Sequence, residues 1–408
     1  MTIDCKFCST KLNEVISFGK MPIANAFLEK KEIENEFFFE LASMYCPSCF
    51  LFQLKEQPKP EKLFHENYAF FAGTSNVMQN HFSDLSLELI NRFSLSKEDL
   101  VIEIGNNDGG MVKYLNDLGF KNHIGIDPSS NVANQARKQG VNMVCDFFSL
   151  QLAETIKDKY GKARYFLAAN TLAHIPDINS VFEGISNLLH DEGIFITEDP
   201  YQVDLFQKTS YDQIYDEHVF IFSLTSMINI CKKFNLKVFD VKYIPTAGGS
   251  LRYYISKNKN IPITDSLKNH LEIEKIINFK SELTYKNFFI NCEISKKNLI
   301  ESIENLLNTK KTIASYGATS KSTTIFNYCN ISSAEISYIT DTTPTKQNKL
   351  SPGTHIPVYD YDFFNKNLPD VCFLGAWNHK DEIFKKERKN FNTKGKWISH
   401  LNDLDLSV

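Results

Sequence analysis

Three stretches of this 408-residue chain concentrate side chains able to do chemistry. The densest is Tyr211-Asp-Gln-Ile-Tyr215-Asp-Glu217-His218, where phenols, carboxylates and an imidazole follow one another closely. Such a set suits general acid–base work, which needs one group to take a proton and another to hold the charge left behind. His174 stands in a second stretch, Ala168-Ala-Asn170-Thr-Leu-Ala-His174-Ile-Pro-Asp177. The third is Asn67-Tyr68-Ala-Phe70-Phe-Ala-Gly-Thr-Ser75, whose aromatic and hydroxyl groups could cover a cleft as a lid. His218, Glu217, Tyr215, His174 and Tyr68 are the candidate catalytic residues.

A different chemistry sits near the N-terminus, in Cys5-Lys-Phe-Cys8 and Cys46-Pro-Ser-Cys49. Each pair puts two sulfurs on one tight turn. Together they offer the four thiolates of a tetrahedral structural zinc, with no position left for an activated water. Cys5, Cys8, Cys46 and Cys49 are therefore expected to hold a zinc that supports structure and takes no part in the reaction. The nine cysteines are an odd count, so disulfide pairing of the whole set is not expected. Cys145, Cys231, Cys292, Cys329 and Cys372 are scattered singly and read as small buried hydrophobes.

The elements that must position these groups follow from the apolar pattern. Strands are predicted at 100–104, 123–126, 142–144, 165–168 and 193–197, with helices at 110–118, 131–138, 150–157 and 178–189 between them. That alternation implies a parallel, doubly wound α/β sheet. Further strands at 238–243 and 250–255 could finish it. Charged helices over roughly 265–310 lead to a second βαβ pattern, with strands at 312–316 and 336–339 around a Gly317-Ala318 turn. The expected division is a zinc module over 1–65, a sheet domain over 66–260, a helical connector over 261–310 and a second Rossmann-like domain over 311–408.

In an open α/β sheet, ligands sit beyond the strand C-termini. The first predicted strand runs into Glu103-Ile-Gly105-Asn106-Asn107-Asp108-Gly109, a glycine turn that lets backbone approach a ligand closely. It is not the GxGxxG dinucleotide signature. An acidic residue ahead of the first glycine suits a cationic sulfonium with an amino-acid tail. The second strand ends in Asp127, a carboxylate placed to accept ribose hydroxyl protons. Asp146 and Phe147 follow the third strand, where a carboxylate and an aromatic can hold adenine. Glu103, Gly105, Asn107, Asp108, Gly109, Asp127, Asp146, Phe147 and Asn170 are the candidate cofactor-binding residues.

A net charge of −4 leaves no broad basic surface, so nucleic acid is not an expected partner. The start MTIDCKFC lacks a basic, then apolar, leader, and no apolar run approaches the roughly 18 residues that span a bilayer. The expectation is a cytoplasmic protein without membrane contact, a monomer or weak homo-oligomer.

The spacing E-x-G-x-x-x-G followed by Asp127 resembles class I S-adenosylmethionine methyltransferases. The resemblance becomes narrower along the chain. The cysteine pairs, the Tyr68 segment, the Glu103–Gly109 turn, Asn170 to His174-Ile-Pro, Tyr215-Asp-Glu-His218, Gly248-Gly-Ser-Leu-Arg252 and Gly317-Ala318-Thr-Ser-Lys321 stand in the order of the nucleotide-sugar C-3 methyltransferases. That family often has a second tyrosine where Phe70 stands. The resemblance implies a class I methyltransferase sheet flanked by a zinc-binding module and a C-terminal Rossmann-like domain. It implies S-adenosylmethionine and structural zinc as cofactors, and a nucleoside diphosphate 4-keto-6-deoxy sugar as substrate. Its C-4 ketone would allow enolisation at C-3, with His218 as base, Glu217 orienting it, and Tyr215 and His174 near the keto oxygen or the departing proton. An O- or N-methyltransferase on the same scaffold would need a base but no enolate clamp. A zinc-ribbon interaction protein would need neither the glycine turn nor Asp127.

Overall fold

The computed structural model describes residues 3–407 except His65, Asn67, Ala69, Phe70, Ser75 and Asp403, together with all side chains of those residues but Thr74, Asn76, Val77 and Ala247. Of the proposed lid, Asn67, Phe70 and Ser75 therefore lie outside the described residues. Strands β1 (Asn13–Pro22), β2 (Phe38–Tyr45) and β3 (Phe52–Leu54) make an antiparallel sheet behind the cysteine pairs. There follow β4 (Val101–Ile104), β5 (His123–Ile126), β6 (Met143–Val144), β7 (Ala163–Ala169) and β8 (Leu189–Pro200). Short β9 (Phe220–Ile221) returns to the first sheet and completes it in the order β1-β2-β3-β9. Strands β10 (Lys237–Ile244) and β11 (Ser250–Ser256) close the large sheet in the order β10-β11-β8-β7-β4-β5-β6. Its central strands are parallel, and β11 lies antiparallel between β8 and β10. All four residues of β4 are buried because helices cover both faces of the sheet, which is why its sequence is nearly continuous apolar.

The helix Ile178–Leu188 shows how the layers hold. Asp177 caps its start by accepting the Ser180 amide at 3.1 Å, and Val181, Phe182, Ile185 and Leu188 bury one stripe against the sheet. The helix Asn76–Phe93, which the strand pattern does not announce, packs Phe82, Leu85 and Leu89 into the opposite layer. Buried Arg252 of the Gly248–Arg252 run fastens it. The guanidinium bridges Glu88 on this helix at 2.7 Å and Glu198 on β8 at 2.6 Å.

The connector is two helices, Asp265–Ile277 and Glu282–Asn308. The longer one stacks Tyr285 on Tyr45 of β2 and Phe288 on Phe206, with centroids 3.7 and 4.3 Å apart, and Ser295 donates to the His400 carbonyl at 2.6 Å. The last sheet is wholly parallel: β12 (Ile313–Tyr316), β13 (Ile339–Thr340), β14 (Val358–Tyr359), β15 (Val371–Leu374) and β16 (Lys396–Ile398) run in the order β14-β13-β12-β15-β16. The strand predicted at 336–339 starts instead at Ile339. The Ile336 amide closes a turn on the Ser332 carbonyl, so the chain is still turning there. Cys145 is exposed, against the expectation of a buried hydrophobe, whereas Cys231, Cys292, Cys329 and Cys372 are buried.

Candidate active site

Both Rossmann-like sheets reverse their winding direction once, and both reversals face one cavity. In the large sheet the reversal falls between β4 and β7, so Gly105 and Asn170 emerge side by side. In the last sheet it falls between β12 and β15, where Gly317 and Ala376 emerge. The shared cavity measures about 1220 Å³. Single-ligand pockets run to about 1,000 Å³, so this one has room for two.

The first wall is built by the glycine turn. Gly105 has φ +70°, and a Cβ there would lie 2.1 Å from the Thr171 hydroxyl, so only glycine fits between β4 and the loop after β7. Asp127 ties the turn to the second strand, accepting the Asn107 amide at 3.0 Å and the Ser129 amide at 2.9 Å. Burial pushes its carboxyl up to about 6, and each oxygen keeps a lone pair for a ribose hydroxyl. Asp146 and Phe147 lie on the cavity wall beyond β6. Asn170 lines it as well, with a buried side-chain oxygen that finds no partner among the described residues. S-adenosylmethionine fits these groups: a carboxylate at a strand end, an aromatic for its base, and an open amide oxygen for its amino-acid tail.

Two expectations, Asp108 and Gly109, are corrected here, whereas Glu103 does line the cavity. Its oxygens accept the Met111 and Val112 amides at 3.0 and 2.9 Å and the Asn106 side-chain amide at 2.6 Å, capping the helix that follows the turn. Burial lifts its carboxyl to about 7. Asp108 and Gly109 point away from the cavity, and Asp108 instead accepts the Gly73 amide at 2.9 Å. Gly110 takes the place on the wall expected of Gly109. If this wall binds the donor, Gly105→Ala should weaken S-adenosylmethionine binding at least about tenfold in a calorimetric titration, since its Cβ overlaps Thr171. Unchanged affinity would remove the turn from the donor site.

The acid–base cluster lies between the two walls. His218 Nδ1 sits 2.7 Å from the Gln213 carbonyl, which can only accept, so the ring proton is on Nδ1. Nε2 therefore carries the lone pair, and the Tyr215 hydroxyl donates to it at 2.9 Å. Burial depresses His218 well below the ordinary histidine range, keeping it neutral. The His174 ring centres 5.3 Å away, is lowered to about 4 by burial, and its Nε2 finds no partner among the described residues. Glu217 does not orient His218, as the resemblance implied. The backbone carbonyl of Gln213 does, and Glu217 instead accepts from Asn25 at 2.8 Å and from the Tyr68 hydroxyl at 3.2 Å.

Several lining groups escaped the sequence reading. Asn25 comes from the loop after β1 and belongs to no spaced motif; Thr171 comes from the loop after β7, unassigned within the Asn170–His174 run. Ser320, Lys321, Lys346, Trp377 and His379 come from the last domain. Of these, Ser320 and Lys321 stand in the Gly317–Lys321 run that the sequence singled out, and the other three had no signal. The domains are locked around them by Asp212, whose fully buried carboxylate accepts from Trp377 Nε1 at 2.6 Å and pairs with His400 Nε2 at 3.0 Å.

The metal site is equally compact. The sulfurs of Cys5, Cys8, Cys46 and Cys49 all lie within 4.8 Å of one another, with Cys5–Cys49 at 3.7 Å and Cys8–Cys46 at 3.4 Å. A tetrahedron of thiolates about 2.3 Å from zinc has edges of about 3.8 Å, so zinc fits. Their crowding splits the thiols. Hydrogen bonds from Cys46 and then Cys49 hold Cys5 far below the usual thiol range, and Cys49 is pushed far above it by Cys46, by Cys5 and by burial. Only a cation among them lets all four be thiolates together.

Three family models match the chain: a zinc binding domain over residues 5–64, a methyltransferase domain over 78–241 and a C-methyltransferase C-terminal domain over 245–401. The C-methyltransferase NovU of Streptomyces niveus is 30% identical over 398 residues, which span 97% of this chain and 94% of that protein. A solved S-adenosylmethionine-dependent methyltransferase from Anabaena variabilis overlaps 47% of this chain and 88% of its own, at 15% identity and a TM-score of 0.37. Magnesium protoporphyrin IX methyltransferase from Synechocystis overlaps 43% and 82%, at 12% identity and a TM-score of 0.35. Those two overlaps are too loose to bear on function. The NovU likeness takes in all three sheets. The chain belongs to the family of S-adenosylmethionine-dependent C-methyltransferases that includes NovU, with a zinc-binding four-cysteine module ahead of the methyltransferase domain.

Proposed function

We propose that the protein methylates C-3 of a nucleoside diphosphate-linked 4-keto-6-deoxy sugar, through an enolate, as a cytoplasmic step of deoxysugar biosynthesis. The observation that carries this reading is the Tyr215–His218 pair, a neutral imidazole whose free nitrogen is hydrogen-bonded to a phenol at 2.9 Å. A carbon acceptor must first lose a proton, and a ketone beside it makes that loss accessible. His218 Nε2 is the group that takes the proton. Its Nδ1–H stays on the Gln213 carbonyl, which steadies the imidazolium as it forms. The Tyr215 hydroxyl must swing off Nε2 or relay the proton, and either way ends within reach of the substrate. When bound, S-adenosylmethionine supplies an electrophilic methyl. The protein's part is to hold the carbon nucleophile in line with it and to exclude water.

The size of the cavity and the second glycine turn support a nucleotide-linked acceptor. Gly317 and the start of the helix Ser320–Tyr328 face the same space as the donor wall, with Lys346 beside them. A helix N-terminus with a lysine nearby suits phosphate oxygens. The test is to incubate the enzyme and methyl donor with a panel of thymidine and guanosine diphosphate 4-keto-6-deoxy sugars in deuterated water. The expected result is loss of the C-3 proton together with a mass gain of one methyl. Transfer only to a hydroxyl or amine would overturn the reading.

A further inference from the structure

We propose that Lys321 is a catalytic cation, holding the negative charge that develops on the acceptor's carbonyl oxygen when His218 removes the adjacent proton. This rests on the ketone-bearing acceptor proposed above. Lys321 stands in the first turn of the helix Ser320–Tyr328, enclosed by protein except where its side chain meets the cavity. No oxygen among the described residues accepts a hydrogen bond from its ammonium. The Trp377 ring lies over it, with its centre 5.7 Å from Nζ. Asp212 is the natural counter-ion, but its oxygens hold Trp377 and His400, and no hydrogen bond joins it to Lys321 among the described residues. Lys321 is only half-buried, so its ammonium is open to the cavity and has no acceptor among the described residues. The arrangement makes sense when a ligand oxygen supplies what the protein withholds.

Its location says which oxygen. Ser320, the preceding residue, lies against the Tyr215 phenol, and Lys321 is near enough to His218 for its charge to disfavour the imidazolium. The cation and the base therefore border the same corner of the cavity. In the step, the C–H pair forms a carbon–carbon double bond, the carbonyl π pair moves to oxygen, and the proton goes to His218 Nε2. The new oxyanion accepts a hydrogen bond from Lys321 Nζ. When the carbon attacks the methyl group, the carbonyl is restored and Lys321 releases it. Burial lowers the ammonium's pKa, which brings its acidity toward that of an enol and strengthens this bond.

The test separates proton removal from methyl transfer. With S-adenosylhomocysteine in the donor site, C-3 exchange of thymidine diphosphate 4-keto-6-deoxyglucose is followed in deuterated water, and its dissociation constant is measured calorimetrically. Lys321→Met should slow exchange at saturating sugar by about 10²–10³-fold, the usual cost of one oxyanion donor. The dissociation constant should stay within about threefold, and Lys321→Arg should retain more exchange than Lys321→Met. Unaltered thermal unfolding and donor binding in both variants confirm that they fold. Unchanged saturated exchange with greatly weakened sugar binding would overturn the proposal and make Lys321 a diphosphate anchor. No exchange by the unmutated enzyme would instead sink the acceptor reading itself.

Discussion

His218→Ala should lower kcat by about 10²–10⁴ while leaving S-adenosylmethionine affinity within about threefold. The separation is geometric. His218 hydrogen-bonds Tyr215 and Gln213, whereas the wall proposed for the donor is lined by Gly105, Asp127, Phe147 and Asn170, none of which hydrogen-bonds to it among the described residues. Removing the imidazole leaves those residues in place. The pH dependence follows from the direction of its shift. A histidine held well below its ordinary value is still a free base at neutral pH, and loses that form only as pH falls through the lowered value. The acid limb of kcat/KM in the unmutated enzyme should therefore lie below 6.5, the ordinary histidine value. Tyr215→Phe keeps the base but removes its hydroxyl partner, so it should retain more activity than His218→Ala. Turnover that survives His218→Ala, or an acid limb at or above the ordinary histidine value, would take the base role away from His218.

What could be read from the sequence was local. The β4 turn and the end of β5 declare themselves because strand, glycine turn and helix start are contiguous. Which way each side chain of that turn points is not contiguous information. Asn107 reaches back to Asp127, while Asp108 turns outward to Gly73, a choice set by Asn107 adopting φ +54°. The second task of Glu103, capping the helix after the turn, is visible only once the turn is folded. The orienting group of His218 was invisible for a stronger reason: it is a backbone carbonyl, and any residue could supply it. Asn25 reaches Glu217 across 192 positions of sequence, brought together by the pairing of β3 with β9 and the bond from Ala24 to Asp216. The helix Asn76–Phe93 could have been found, since Phe82, Leu85 and Leu89 follow helical spacing. Lys321 was noticed for its motif, but that Asp212 near it is engaged by Trp377 and His400 shows only when the far end of the chain is folded back.

Removing zinc should abolish activity even though no cysteine of the cluster lines the cavity. Structural zinc sites contribute roughly 10 kcal/mol or more of folding free energy in small modules. The path from metal to catalysis is short. Gln53 of β3 donates to Cys5 Sγ at 3.2 Å and accepts the Lys6 amide at 3.1 Å, so the cysteine turns fix β3. Strand β3 then pairs with β9, Phe52 against Ile221, and the Leu54 amide donates to the Val219 carbonyl at 2.8 Å. Val219 directly follows His218. The same module carries Ala24, whose amide binds Asp216 at 2.9 Å, and Asn25, which binds Glu217. The loop bearing the base is therefore held from behind by a sheet that the metal organises. Cys46→Ser should release the metal, seen as loss of stoichiometric zinc by elemental analysis, and lower the thermal midpoint by several degrees. Exchange at the acceptor carbon should fall in proportion to the zinc lost, while the donor wall, carried by β4 to β7, keeps part of its affinity for S-adenosylmethionine. A zinc-free protein with full turnover would show that β3 and β9 hold the His218 loop without the metal.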